Sequence, residues 1–149
     1  MNWSYVAGFV DGEGSIVRYG DNDYRISIPQ THEGVLRSIQ KFAGAGNIYK
    51  TKKRKSHWKE SWIYCVARQE AVLQFLKNIY PYLIVKKPVV QAVIPRVARI
   101  VAVRRSYDAQ LQKKIKTCKL LREKGLSYRK IGKKLNLDHG YIRRLVLFK

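Results

Sequence analysis

Acid is scarce in this chain: 10 Asp and Glu stand against 31 Lys and Arg, a formal net charge of +21 over 149 residues. Such an imbalance points to a polyanionic partner, either nucleic acid or an anionic membrane surface. Cysteine is nearly absent. Cys65 and Cys118 lie far apart, with no CxxC and no His-rich neighbourhood, which argues against a zinc site and a disulfide framework. No apolar run approaches the roughly 20 residues that cross a bilayer. The nearest, residues 88–104, is interrupted by Gln91, Arg96 and Arg99. The first apolar run has no basic stretch before it and holds acids within it, a poor secretory signal. The expectation is a soluble intracellular protein, in the cytoplasm or an organelle matrix, with no membrane partner. A hydrophobic fraction of 46% suffices for one packed core domain and a modest appendage.

Because acids are few, their placement carries information. "YVAGFVDGEGS", Tyr5 to Ser15, sets Asp11 and Glu13 between glycines at the end of an apolar, small-residue run. Read as a helix over Trp3–Gly12, the run puts Ala7, Gly8 and Gly12 on or near one face at i, i+4 spacing. Backbones can approach closely across such a face, most simply those of two copies of the chain about a twofold axis. Asp11 and Glu13 then sit at the negative end of the helix dipole, which disfavours each by a few tenths to about 1 kcal/mol. A twofold axis compounds the repulsion. A divalent cation relieves it, since carboxylate and carbonyl oxygens are the hard ligands of Mg²⁺ or Ca²⁺. The plainer alternative is that Asp11 caps a turn and Glu13 is solvated.

The rest of residues 1–106 reads as a mixed α+β unit. "SIVRYG" and the alternating "DYRISIPQ" are two strands about a "GDND" turn, with Tyr24, Ile26 and Ile28 inward and Arg25 and Ser27 outward. "THEGVLRSIQKFAGAG" has helical spacing, with Thr31 as the expected N-cap and Gly44 and Gly46 closing it. Strands near 47–53 and 60–67 follow, around a basic tip holding Lys50, Lys52, Lys53, Arg54, Lys55 and Lys59. A second helix starts at Gln69 and ends at Pro81, and a third covers about 88–106, with a kink expected at Pro95.

Together, "VAGFVDGEG" (Val6 to Gly14) and this element order resemble the LAGLIDADG homing endonucleases and their αββαββα core, over residues 3–104. The departures keep apolar or acidic character: Val6 for Leu, Phe9-Val10 for the next apolar pair, Gly12-Glu13 for Ala-Asp. The resemblance implies motif helices paired at an interface, Glu13 as the metal-ligating acid, a Gly12 backbone carbonyl beside it, and Asp11 as a further metal-site acid that also orders the helix end. It implies that Gln30 and Lys86 belong to the active site, with Lys87 competing for the second place; ordinary surface polarity is the alternative for both. With one motif and no internal repeat, it implies a homodimer. That dimer would make a Mg²⁺-dependent double-strand break in a long, pseudo-palindromic DNA target; Mn²⁺ would substitute, and Ca²⁺ would bind without supporting cleavage. The outward strand residues Tyr19, Arg25, Ser27, Asn47, Tyr49 and Thr51 would face the major groove, while Lys52, Lys53 and Arg54 would grip phosphate. Alternatives on the same core are a non-cleaving DNA-binding regulator and an RNA-binding group I intron maturase.

Residues 107–149 form a small all-α extension by their pattern. A helix closes at Gly125, a second is capped by Ser127, and a third is capped by Asp138. The last two resemble a helix-turn-helix, with Ile131, Leu135, Ile142 and Leu145 inward and Tyr141, Arg143 and Arg144 as outward DNA readers. Residues 105–149 hold 14 basic and 3 acidic residues, net +11; residues 1–104 hold 17 and 7, net +10. Both parts are therefore expected to touch the polyanion.

Overall fold

A computed structural model of the protein describes residues 1–20, 23–53 and 55–148. Two positions of the expected "GDND" turn, and Arg54, fall outside these residues. The elements run α1 (Trp3–Glu13), β1 (Ser15–Tyr19), β2 (Asp23–Gln30), α2 (Glu33–Ala43), β3 (Asn47–Lys50), β4 (Trp62–Val66), α3 (Gln69–Ile79), a 3₁₀ turn (Tyr80–Tyr82), α4 (Lys87–Glu123), α5 (Tyr128–Leu135) and α6 (His139–Leu147). The expected αββαββα order is present, followed by extra helices.

Four strands form one antiparallel sheet in the order β1-β2-β4-β3. Its register sorts the side chains by face. Ile26 pairs with Ile16 and Val66, and Ile28 pairs with Tyr64, itself opposite Ile48. Tyr24, Ile26, Ile28, Tyr64 and Val66 are buried in one core with Val6, Ala7 and Val10 of α1, Leu36 and Ile39 of α2, and Val72, Phe75, Leu76 and Ile79 of α3. All helical contributions come from one side of the sheet; the opposite parity on every strand is left outward.

α1 starts where Asn2 accepts the Tyr5 N–H at 2.9 Å. It stops at Gly14, where a Cβ would lie 2.8 Å from the Val10 carbonyl oxygen. The chain can turn straight from helix into β1 only because that atom is missing. α2 is capped one residue later than expected. His32, not Thr31, accepts the Val35 N–H, at 3.3 Å, because Thr31 is drawn to Gln30.

Two helices expected as separate, ending near 106 and beginning near 108, are one helix of 37 residues with Pro95 inside it. The lapse of apolar spacing around "RRSYDAQ" suggested a break. However, no Gly or Pro lies between Pro95 and Gly125, and polarity all round a helix does not end it. By its internal contacts the chain forms two compact units, Met1–Val101 and Ala102–Lys149. The second has its own core of Ile115, Cys118, Ile131, Ile142 and Leu145. No helix among the described residues is long and apolar enough to cross a membrane.

Candidate active site and nucleic-acid interface

The last turn of α1 ends in four carbonyls beyond the regular helical ladder, and protein donors reach two of them. Val10 accepts the Gly14 N–H at 3.0 Å. Asp11 accepts from the Lys86 ammonium through its backbone oxygen. The carbonyls of Gly12 and Glu13 have no protein donor among the described residues.

The two acids diverge. Asp11 Oδ2 accepts the N–H groups of Ile84 at 2.7 Å and Val85 at 3.2 Å, and Oδ1 accepts that of Lys86 at 2.8 Å. Asp11 thereby fastens the segment leading into α4 to the end of α1. Burial on its own would raise its pKa. The N–H groups of Ile84, Lys86 and Val85 and the Lys86 charge outweigh it, and the net shift is below the ordinary 3.8. With both carboxylate oxygens engaged, the expected metal-site role for Asp11 gives way to positioning. Glu13 is the acid whose oxygens are uncommitted: it is exposed and has no side-chain partner among the described residues.

A native pKa below the unfolded one means that Asp11 stabilises the fold above about pH 4, and that this stabilisation is lost as pH falls through the native value. Asp11→Asn should cost about 1 kcal/mol at neutral pH, the scale of a lost charge-assisted cap. Thermal unfolding against pH should show the two proteins converging below pH 4. A gap that persists undiminished into acid would assign the loss to something other than this charge.

Lys86 is half-buried with its ammonium on the α1 terminus, whereas Lys87 is exposed and lies 5.6 Å from the Tyr80 ring centroid. Geometry thus separates the two lysines that the sequence left in competition. Gln30 closes β2 opposite Trp62. β1 begins at Ser15, paired with Ser27, so Gln30 lies three residues beyond the strand that leaves Glu13. Its Oε1 accepts the Thr31 N–H at 2.7 Å and the Thr31 hydroxyl at 3.2 Å.

One expected interface residue is misplaced. Ala7 is fully buried in the core of its own chain and cannot meet a partner. The α1 wheel turns Val6, Ala7 and Val10 inward and leaves Gly8 and Gly12 exposed. A Cβ at either glycine would touch nothing within 4 Å. Tyr5 is on the same open side, and its ring is 6.0 Å from that of Phe9.

The outward residues named from alternation share one sheet face. Ser15, Ser27, Cys65 and Asn47 make one cross-strand row, and Pro29, Ile63 and Tyr49 another. Arg25 lies opposite Val17, and its guanidinium stacks 3.8 Å over the Tyr19 ring. Thr51 stands just past β3, held by bonds to the Ser61 carbonyl from its N–H at 2.9 Å and its hydroxyl at 2.8 Å. Lys52 and Lys53 are exposed beyond it. Lys50 is engaged with Glu60 at 2.8 Å, which together with the nearby Lys53 charge holds the Glu60 carboxyl below its ordinary pKa.

In the C-terminal unit, Arg143 and Arg144 are exposed as expected, but Tyr141 is half-buried against the second core, with Arg144 5.7 Å from its ring. Tyr141 is therefore a packing residue and not an outward reader. Sequence reading also missed Gln69, a fully buried amide. Its Oε1 accepts the Tyr24 N–H at 3.0 Å, and its Nε2 donates to the carbonyls of Tyr24 at 2.9 Å and Ala67 at 2.8 Å.

Comparison with known proteins agrees with this geometry. Residues 6–90 match the family model of the LAGLIDADG endonucleases. No curated protein matches at the sequence level. Among solved structures, the homing endonuclease I-CvuI in complex with its target in the presence of Ca is 24% identical, with a TM-score of 0.53 over 68% of this chain and 69% of that one. The archaeal intron-encoded homing endonuclease I-Vdi141I complexed with DNA is 21% identical, with a TM-score of 0.53 over 81% of this chain and 80% of that one. The LAGLIDADG meganuclease I-CpaMI bound to uncleaved DNA is 17% identical, with a TM-score of 0.51 over 72% of this chain but 38% of its own. At these identities the structures establish the shared fold. The family match spans more than half of the sequence and includes the acid-bearing end of α1, both strand pairs and the segment that Asp11 fastens: the chain belongs to the LAGLIDADG endonuclease family.

Proposed function

We propose that the protein is a homodimeric homing endonuclease that makes a Mg²⁺-dependent double-strand break in a long, pseudo-palindromic DNA target. The observation that carries this reading is Glu13: an exposed carboxylate with no partner among the described residues, beside the open Gly12 carbonyl, in a chain of +21. The donor chemistry fits a hard divalent ion, since both are oxygens. One chain offers too few of them, because no cluster of three or more His, Cys, Asp or Glu is available to a metal among the described residues. A second copy across the open Gly8–Gly12 face supplies the second Glu13 and Gly12. The same dimer would cover the highly exposed Ile84 and Val85, held at the end of α1 by Asp11.

In this site Glu13 and the Gly12 carbonyl would hold the ion, with Mn²⁺ as a substitute and Ca²⁺ binding without turnover. When bound, a divalent ion makes an attacking water more acidic and neutralises charge on the leaving oxygen. Lys86, anchored on the Asp11 carbonyl, sets a positive charge beside the α1 terminus, where it can stabilise charge growing on a phosphate. Gln30, whose Oε1 is bound to Thr31, keeps its amide donor to orient water. Tyr19, Arg25, Ser27, Asn47, Tyr49 and Thr51 read base edges from the outward sheet face, and Lys52 and Lys53 grip phosphate. That neighbours of the same fold are described as DNA complexes supports duplex DNA as the substrate.

The test is to incubate the full-length protein with a randomised duplex library and Mg²⁺ and to sequence the ends produced. Recovered ends should derive from a pseudo-palindromic site with short 3′ overhangs, and chelation should abolish them. Cutting that survives chelation, or confined to one strand, would refute the reading. The dimer has a separate test. Gly8→Leu adds a side chain into open space of its own chain, so the monomer's secondary structure should be unchanged by circular dichroism, while the unfolding temperature should fall and lose its dependence on protein concentration as subunit association is lost. Sedimentation should nevertheless show a monomer, and cleavage should fall at least tenfold. A Gly8→Leu dimer with full activity would place the interface elsewhere.

A further inference from the structure

The C-terminal unit carries a surface that cleavage leaves unused. α5 and α6 are joined through residues 136–138, and the joint is tight. A Cβ at Gly132 would lie 2.6 Å from the Leu137 carbonyl oxygen, and the Leu137 N–H bonds back to Gly132 at 2.9 Å. Asn136 takes the left-handed conformation at φ 51°, and Asp138 caps α6 by accepting the Tyr141 N–H at 3.0 Å. Two short helices fixed by so close a turn make a helix-turn-helix.

The core of the unit decides which side of α6 is available. Ile142 and Leu145 are buried and Tyr141 and Val146 pack beside them, so the outward face holds His139, Arg143 and Arg144. His139 and Arg143 stand one turn apart on it. Arg144 leans on the Tyr141 ring, whereas Arg143 makes no ion pair or ring contact among the described residues. Next to this face is a recess of about 510 Å³ lined by Arg129, Lys133, Asn136, Asp138 and His139. Arg129 and Lys133 are exposed and one turn apart on α5. The one acid there, Asp138, is committed through Oδ1 to its cap, and its Oδ2 is 3.5 Å from His139 Nδ1.

We propose that this unit is a second duplex-DNA reading module, in which His139 and Arg143 reach base edges in the major groove and Arg129 and Lys133 hold the adjoining phosphates. A short rigid helix with an outward Arg fits the major groove of B-form DNA, whereas the deep, narrow groove of duplex RNA does not admit it. The inference rests on the chain acting on duplex DNA, as proposed above, but not on the chemistry of Glu13.

Full-length protein in EDTA should select two separable blocks of base pairs in each half-site from a randomised duplex library. The double variant His139→Ala, Arg143→Ala should erase one block and keep the other. The double variant Arg129→Ala, Lys133→Ala should weaken all sequences alike, roughly tenfold, and flatten the salt dependence by about two units of slope. If only one block appears and the helix variants leave it intact, this module fails while DNA reading by the sheet stands. If no block appears, both fail. An unchanged salt slope, or a structured RNA hairpin that outcompetes duplex through these same residues, would also overturn the assignment.

Discussion

Replacing Glu13 by Gln should reduce DNA cleavage by a thousandfold or more while leaving target affinity within a few-fold of wild type. The substitution preserves volume, the carbonyl-type acceptor and the helix end, and removes only the charge. Glu13 has no partner among the described residues, so their packing gives no reason to keep that charge. In a reaction whose barrier is lowered by charge stabilisation, losing the carboxylate that holds the ion forfeits several kcal/mol, on the order of 10³ or more in rate. Binding should respond in the opposite direction if at all, because one repulsive charge facing a polyanion disappears. The measurement is a single-turnover cleavage rate beside a Kd from anisotropy in Ca²⁺. Cutting within tenfold of wild type would remove Glu13 from the chemistry. A parallel loss of Kd would make it a binding residue instead.

Asp11→Asn supplies the contrast. The two acids look equivalent in "VDGEG", yet their environments divide the work. Asp11 receives three backbone donors from 73 to 75 residues downstream and ties α1 to the start of α4. Its loss should therefore lower stability and cleavage together, whereas loss of Glu13 lowers cleavage alone. That difference in pattern does not depend on the size of either effect.

What the sequence made legible was periodic. Alternation in "DYRISIPQ" separated Tyr24, Ile26 and Ile28 from Arg25 and Ser27, because a strand with one buried face has no other register available. The caps at Ser127 and Asp138 were legible for a comparable local reason: each side chain bonds an N–H three residues on. The errors share a cause as well. Size groups Ala7 with Gly8 and Gly12, but at 100° per residue it points 100° away from Gly8, into the core. Polarity groups Tyr141 with Arg143, although its ring is apolar enough to join Ile142 in the second core. The continuity of α4 was hidden because a solvated stretch of helix has no amphipathic signal. Gln69 could not be read at all, since a polar residue at a helix start looks like any surface amide until its partner, 45 residues away, is known.

Gln69→Leu should then be the most destabilising exposed-looking change in the N-terminal unit, by about 3 kcal/mol, which corresponds to a fall of roughly 10 °C in unfolding temperature. β4 ends at Val66, opposite Ile26, so it stops short of Tyr24 on the neighbouring strand. The Tyr24 N–H and carbonyl are left in the interior without a ladder partner. The Gln69 amide, whose donor and acceptor match a peptide group, takes the place of the missing strand residue. Leu fills the volume but pairs with neither group, leaving two buried polar atoms unsatisfied. Gln69→Glu sharpens the test. Its oxygen still accepts from Tyr24 N–H, but the donor is gone, and a carboxylate would face the carbonyls of Tyr24 and Ala67. That variant should be severely destabilised at neutral pH and should recover in part toward acid, as protonation restores one donor. If Gln69→Leu unfolds within 2 °C of wild type, the amide is not completing the sheet and Tyr24 must be satisfied in some other way.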